Sequence, residues 1–124
     1  MKIGKRHLLW ILIILLAGSV ALVLFGGNAT GQYDDFAKCL AEKDAKMYGA
    51  YWCGHCANQK KEFGASWKYV DYVECSLPNK AGQTQICEQA GIKGYPTWEF
   101  SDGSRLEGEV SLYGLAQKTG CELV

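Results

Sequence analysis

The stretch GAYWCGHCANQKKEFG, Gly49 to Gly64, sets two cysteines, Cys53 and Cys56, on either side of Gly54 and His55. Sulfurs at this spacing can share a metal ion, lock the fold as an inert bridge, or exchange electrons with another pair of thiols. A zinc site would want a second close pair. Cys75 and Cys87 instead have eleven residues between them, and His7 lies far upstream. No metal is expected. The pair follows an apolar run and opens a helix-like polar segment, which is the setting of a redox-active dithiol.

If a strand ends at Trp52 and a helix begins at Cys53, the first sulfur meets unpaired backbone amides and the positive end of the helix dipole, which favour a thiolate. Cys56 then lies one turn further on, close enough to form a disulfide but more buried. Cys53 is thus predicted to be the nucleophile and leaving thiolate, and Cys56 the resolving sulfur. In reduction Cys53 attacks a partner disulfide and Cys56 clears the mixed species; in oxidation a substrate thiolate attacks Cys53 within the Cys53–Cys56 bond. Trp52, Gly54 and His55 are the supporting residues. A histidine beside the thiolate favours the dithiol form, so this dipeptide leans towards donating disulfides. The disulfide itself is the redox group, and no bound cofactor is expected.

The elements that must position this pair alternate. Tyr33, Phe36 and Leu40 recur at helical spacing behind Asp34 and Asp35. Lys46–Trp52 reads as a buried strand. The helix from Cys53 puts Cys56, Phe63 and Trp67 on roughly one face, with Asn58, Lys61 and Glu62 elsewhere. Tyr69–Cys75 is a second strand rich in aromatic and β-branched residues. A polar loop with Pro78 leads to a short helix around Thr84–Ala90, closed by Gly91. Residues 96–110 look like a hairpin turning at Asp102-Gly103, with Trp98 and Phe100 on one face. Ser111 can cap a last helix that carries Leu112, Leu115, Ala116 and Thr119 and ends at Gly120. The order α-β-α-β-α-β-β-α predicts a small α/β sandwich, parallel where helices separate strands, with an antiparallel hairpin at the edge.

The chain has 124 residues, with 13 basic and 13 acidic side chains. Residues 33–124 carry 10 of the basic and all 13 acidic ones, a net of −3, so nothing points to nucleic acid. Lys2, Lys5 and Arg6 precede the uncharged run Leu8–Phe25. That run approaches the roughly 20 residues of a bilayer-spanning helix and exceeds the roughly 7–15 of a signal-peptide core. A signal anchor is expected, with the N-terminus cytoplasmic and the rest exported. Small residues at Ser19–Ala21, or at Gly27 and Ala29, leave a cleaved signal peptide open. The predicted organisation is a basic segment at 1–7, a transmembrane helix at 8–25, a Gly-rich linker at 26–32 and one domain at 33–124. Six cysteines in so small an exported domain suit an oxidising compartment such as the periplasm or another exoplasmic or lumenal space.

WCGHC (Trp52–Cys56) and GIKGYPTW (Gly91–Trp98) resemble the redox motif and the cis-proline segment of the thioredoxin superfamily. The resemblance implies a thioredoxin-like three-layer α/β/α sandwich, a cis Tyr95–Pro96 bond facing Cys53, and substrate backbone bound there. FAKCLAEKDAKMYGAYWCGHCANQKKEFG, YVECS and SLYGLAQKTGC extend the likeness: they resemble the thioredoxin-like domain fused to bacterial homologues of vitamin K epoxide reductase. Those fusions make protein disulfides and are reoxidised through quinone. The resemblance implies a membrane-anchored thiol–disulfide oxidoreductase. Its partners would be exported cysteine-containing proteins and a separate vitamin K epoxide reductase-like, quinone-linked membrane oxidase. An exoplasmic reductase of the cytochrome-maturation type and a non-catalytic thioredoxin-like adaptor are the alternatives.

Three departures stand out. The four-helix quinone-binding part is absent, relatives often have Pro where this chain has Gly54, and Met47 occupies the place, six residues before Cys53, where many thioredoxins and isomerases bury an acid. The proton acceptor for Cys56 is thereby unassigned. The other four cysteines allow three pairings. Cys39–Cys121 could tie the ends of the domain together, with Cys75–Cys87 closing a short loop; a relay of electrons through one pair to Cys56 is the alternative.

Overall fold

A computed structural model describes residues 4–25 and 30–124, with residues 20–25 as backbone alone. The parts of the expected basic segment and linker at 1–3 and 26–29 lie outside the described residues. The N-terminal run forms helix α1 (Lys5–Phe25), and its apolar side chains from Leu8 to Leu16 are exposed. Among the described residues, no helix is long and apolar enough to cross a membrane.

Behind it come α2 (Asp34–Glu42), β1 (Lys46–Gly49), α3 (Gly54–Phe63), β2 (Asp71–Glu74), α4 (Gln85–Gln89), β3 (Thr97–Glu99), β4 (Arg105–Glu107) and α5 (Leu112–Thr119). The strand order is β2-β1-β3-β4, with β1 and β2 parallel and the other neighbours antiparallel. The hairpin is therefore not a mere edge: its first strand, β3, lies inside the sheet against β1.

Alternation along β1 builds two cores. Met47 points into the larger one, with Phe36 and Leu40 of α2, Phe63 of α3, Trp98 of β3, and Leu112 and Leu115 of α5. Tyr48 points to the other face, with Cys75, Cys87 and Ile92 beside α4. Three helices cover one face and α4 the other, a layered α/β arrangement that fits a thioredoxin-like fold.

Local chemistry sets the ends of the elements. Ser111 Oγ accepts from Gly114 N at 3.0 Å to start α5, and Gly120, at φ 74°, ends it in the left-handed conformation that glycine tolerates. Two expected boundaries are corrected. The strand predicted over Lys46–Trp52 stops at Gly49, because Tyr51 and Trp52 turn outward and stay about half exposed. The strand predicted over Tyr69–Cys75 is shortened to Asp71–Glu74, because Gly64–Tyr69, which follows α3 directly, winds as a 3-10 helix with Trp67 in it.

Candidate active site

The turn after β1 delivers the first sulfur. Cys53 N donates to Ala50 O at 3.0 Å, and Cys53 takes the extended N-cap conformation (φ −79°, ψ 119°) ahead of α3. Its Sγ accepts from Cys56 N at 3.2 Å, in the position of an N-cap oxygen. The Cys53 thiol also reaches Tyr95 O at 3.6 Å, and the Tyr95–Pro96 bond is cis. The residues separated in sequence by a strand and two helices thus meet at one point.

Cys53 and Cys56 are the two cysteines outside disulfides. Cys53 is 8% exposed and Cys56 1%, so both are recessed and the second more deeply. Burial, reinforced by the hydrogen bond with Cys53, pushes the Cys56 thiol up to about 12. At neutral pH it keeps its proton and needs a base to become a nucleophile.

Around the pair, Trp52 donates from Nε1 to Ser76 Oγ at 2.8 Å, its ring meets Tyr95 edge-on at 5.9 Å, and Lys80 Nζ lies 5.7 Å from its centroid. His55 points out to solvent, with Nδ1 2.9 Å from Glu109 Oε1, which also accepts from Asn58 Nδ2 at 3.0 Å. The hydrogen bond from His55, with that of Asn58 behind it, holds the Glu109 carboxyl below the usual range. Gly54 faces open space: a β-carbon there would meet nothing within 4 Å.

Cys39 is joined to Cys121 and Cys75 to Cys87. Cys75 and Cys87 are fully buried in the core on the face of the sheet away from Cys56. That placement suits a staple better than a relay. Among the described residues no group of His, Cys, Asp and Glu is gathered to hold a metal ion.

Three residues near the pair escape a sequence reading. From sequence Gln59 looks like a solvated side chain, Tyr72 like strand filler and Glu74 like an ordinary surface charge. Gln59 is fully buried and braces α3 against β3 and the segment before α5. Tyr72 faces Met47 across the β1–β2 register and Glu74 faces Gly49, so the period-two alternation of Tyr72-Val73-Glu74 was the available signal.

The fold and the paired thiols beside a cis-proline define the class: they support a thioredoxin-like superfamily. The chain is 38% identical over 115 residues to Thiol-disulfide oxidoreductase LTO1 of Arabidopsis thaliana, a match covering 86% of this chain and 30% of that protein. It is 33% identical over 81 residues to Protein disulfide isomerase-like 2-2 of Oryza sativa subsp. japonica, covering 59% of this chain and 22% of the relative. It is 30% identical over 97 residues to Protein disulfide isomerase-like 2-1 of the same plant, covering 70% and 26%. No family model matches the chain. The chain spans less than a third of the length of these curated relatives. Together they support a general thiol–disulfide oxidoreductase role.

Proposed function

We propose that this chain is a membrane-anchored protein thiol–disulfide oxidoreductase that oxidises cysteines of exported proteins, using Cys53 and Cys56. The observation that carries the reading is the Cys53 sulfur. It caps the start of α3, stands 3.6 Å from the carbonyl before the cis-proline, and has Cys56 behind it as a more recessed partner.

The exchange balances in two steps. A substrate thiolate attacks Cys53 Sγ in the Cys53–Cys56 bond; the bond to Cys56 breaks, and Cys56 leaves with the electron pair and takes up a proton. A second substrate thiolate then attacks the substrate sulfur of the mixed disulfide. The substrate disulfide forms, Cys53 departs as a thiolate, and two electrons stay on the pair. Reoxidation passes them to a quinone-linked, vitamin K epoxide reductase-like membrane partner. The uncharged run Leu8–Phe25, placed behind Lys5 and Arg6, is the sequence feature behind the tether. A tether would keep the domain beside that partner at raised effective concentration.

Cys56→Ala in the full chain is expected to trap exported substrates and the membrane partner as mixed disulfides through Cys53. A reduction potential near or above about −200 mV supports oxidation, and one near about −270 mV supports the reductase alternative. Absence of any trapped species in native envelopes counts for an adaptor.

A further inference from the structure

We propose that Glu74, acting through the Tyr72 hydroxyl, is the proton acceptor for Cys56 when it resolves a mixed disulfide, and returns the proton when Cys56 leaves. This deepens the proposed disulfide exchange and rests on it. The need is structural: position 47, on the strand beneath the pair, holds a fully buried Met47 with no proton to exchange.

The parallel register sets Tyr72 directly opposite Met47, and Glu74 opposite Gly49. Tyr72 Oη donates to Glu74 Oε2 at 2.8 Å. Glu74 Oε1 is held by Ser76 N at 2.8 Å and Tyr51 N at 3.2 Å, which leaves Oε2 turned towards the tyrosine. Gly49 makes room for the junction. The point where its β-carbon would sit is 3.1 Å from Cys56 Sγ and 3.2 Å from Tyr72 Oη, which bounds the two at about 6 Å apart. A small rotation or one bridging water spans that gap.

The titratable and charged groups that act on Cys56 are Cys53, the N-cap of α3, and Lys60 within α3, while Tyr72 of β2 feels the Cys56 thiol in turn. Lys60 Nζ lies 4.1 Å from the Tyr72 ring centroid, and its charge favours the ionised thiol. Burial, and then the bond to Glu74, raise the Tyr72 hydroxyl far above the ordinary tyrosine range. Tyr72 therefore does not serve as the base; it passes a proton on, and the carboxylate receives it. As the Cys56 proton moves to Tyr72 Oη, the Tyr72 proton moves to Glu74 Oε2. The Cys56 thiolate then attacks Cys53 Sγ, the Cys53–Cys56 bond forms, and the partner sulfur leaves with the electron pair.

The test mixes the reduced full chain with oxidised glutathione, followed by acid quench and mass spectrometry at a series of pH values. Glu74→Gln keeps an acceptor for Ser76 N and Tyr51 N. It is expected to form the Cys53–glutathione adduct at the wild-type rate but to clear it about 10- to 100-fold more slowly at pH 7, rejoining wild type at alkaline pH. Tyr72→Phe should behave alike and gives the same readout if Glu74→Gln folds poorly; Glu74→Asp should recover part of the rate. An adduct that forms and clears with an unchanged pH profile in folded Glu74→Gln and Tyr72→Phe overturns the relay alone. If the wild type yields neither the adduct nor the Cys53–Cys56 disulfide, the disulfide-exchange reading falls, and the relay with it.

Discussion

Gln59 and Trp98 meet inside the core: the indole N–H donates to Gln59 Oε1 across 3.2 Å, and both side chains are fully buried. The same oxygen accepts from Val110 N at 2.8 Å, and Gln59 Nε2 donates to Val110 O at 2.9 Å. One carboxamide thus fastens the helix that bears the two thiols to β3 and to the segment entering α5. Gln59→Met fills much of the space but strands two donors, so a loss of about 2–4 kcal/mol is expected, read from the urea midpoint. An unchanged midpoint refutes the bracing role.

The two staples should differ in worth. Cys39–Cys121 closes a separation of 82 residues and Cys75–Cys87 one of 12. Chain entropy assigns them about 4–5 and about 3 kcal/mol. The double Ser variants, compared by thermal unfolding without reductant, should rank in that order; the reverse ranking would falsify the entropic account for this domain.

Redox state should change the alkaline limb of stability. The folded Cys56 thiol titrates near about 12 against an ordinary 9.0, so the unfolded chain releases its proton first. The stabilisation is complete below about pH 9 and is lost as pH rises towards 12. In the oxidised protein Cys56 has no proton to lose. The reduced form is therefore expected to weaken faster than the oxidised form in denaturant titrations above pH 9. Tyr72, also raised, adds a loss of the same sign to both forms. Parallel curves for the two redox states would contradict a thiol held neutral by burial.

Gly49 is the tightest point of the site. A methyl group there would stand 2.8 Å from Tyr72 Cε2 and 3.1 Å from Cys56 Sγ. Gly49→Ala is expected to cost about 1–3 kcal/mol through overpacking, and to slow glutathione release by prising tyrosine and sulfur apart. Wild-type stability together with wild-type release would mean the strands yield more readily than this packing implies.

The dithiol was readable from sequence because its cues are local. Apolar strand, turn and polar helix follow one another within a few residues of Cys53, and Ser111 and Gly120 punctuate α5 in the same way. What escaped depends on partners far along the chain. Gln59 looks solvated until Trp98 and Val110, 39 and 51 residues away, close over it. Tyr72 gains meaning only through its register with Met47, which tertiary pairing decides. The interior position of β3 is of the same kind: helix α4 between β2 and β3 suggested a parallel neighbour, but the chain returns past β2 and runs antiparallel to β1.

The bond between Cys39 and Cys121 brings α2 and the tail of α5 to 5.9 Å between Cα atoms, and Lys43 Nζ grips Thr119 O beside it at 2.8 Å. Entrance and exit of the fold are neighbours. A circularly permuted version, with a spacer joining Val124 to Tyr33 and new ends opened at the exposed Asp102-Gly103 turn, is expected to keep both core clusters. The order in which the polypeptide visits its elements is, for this domain, separable from the packing that shelters its sulfurs.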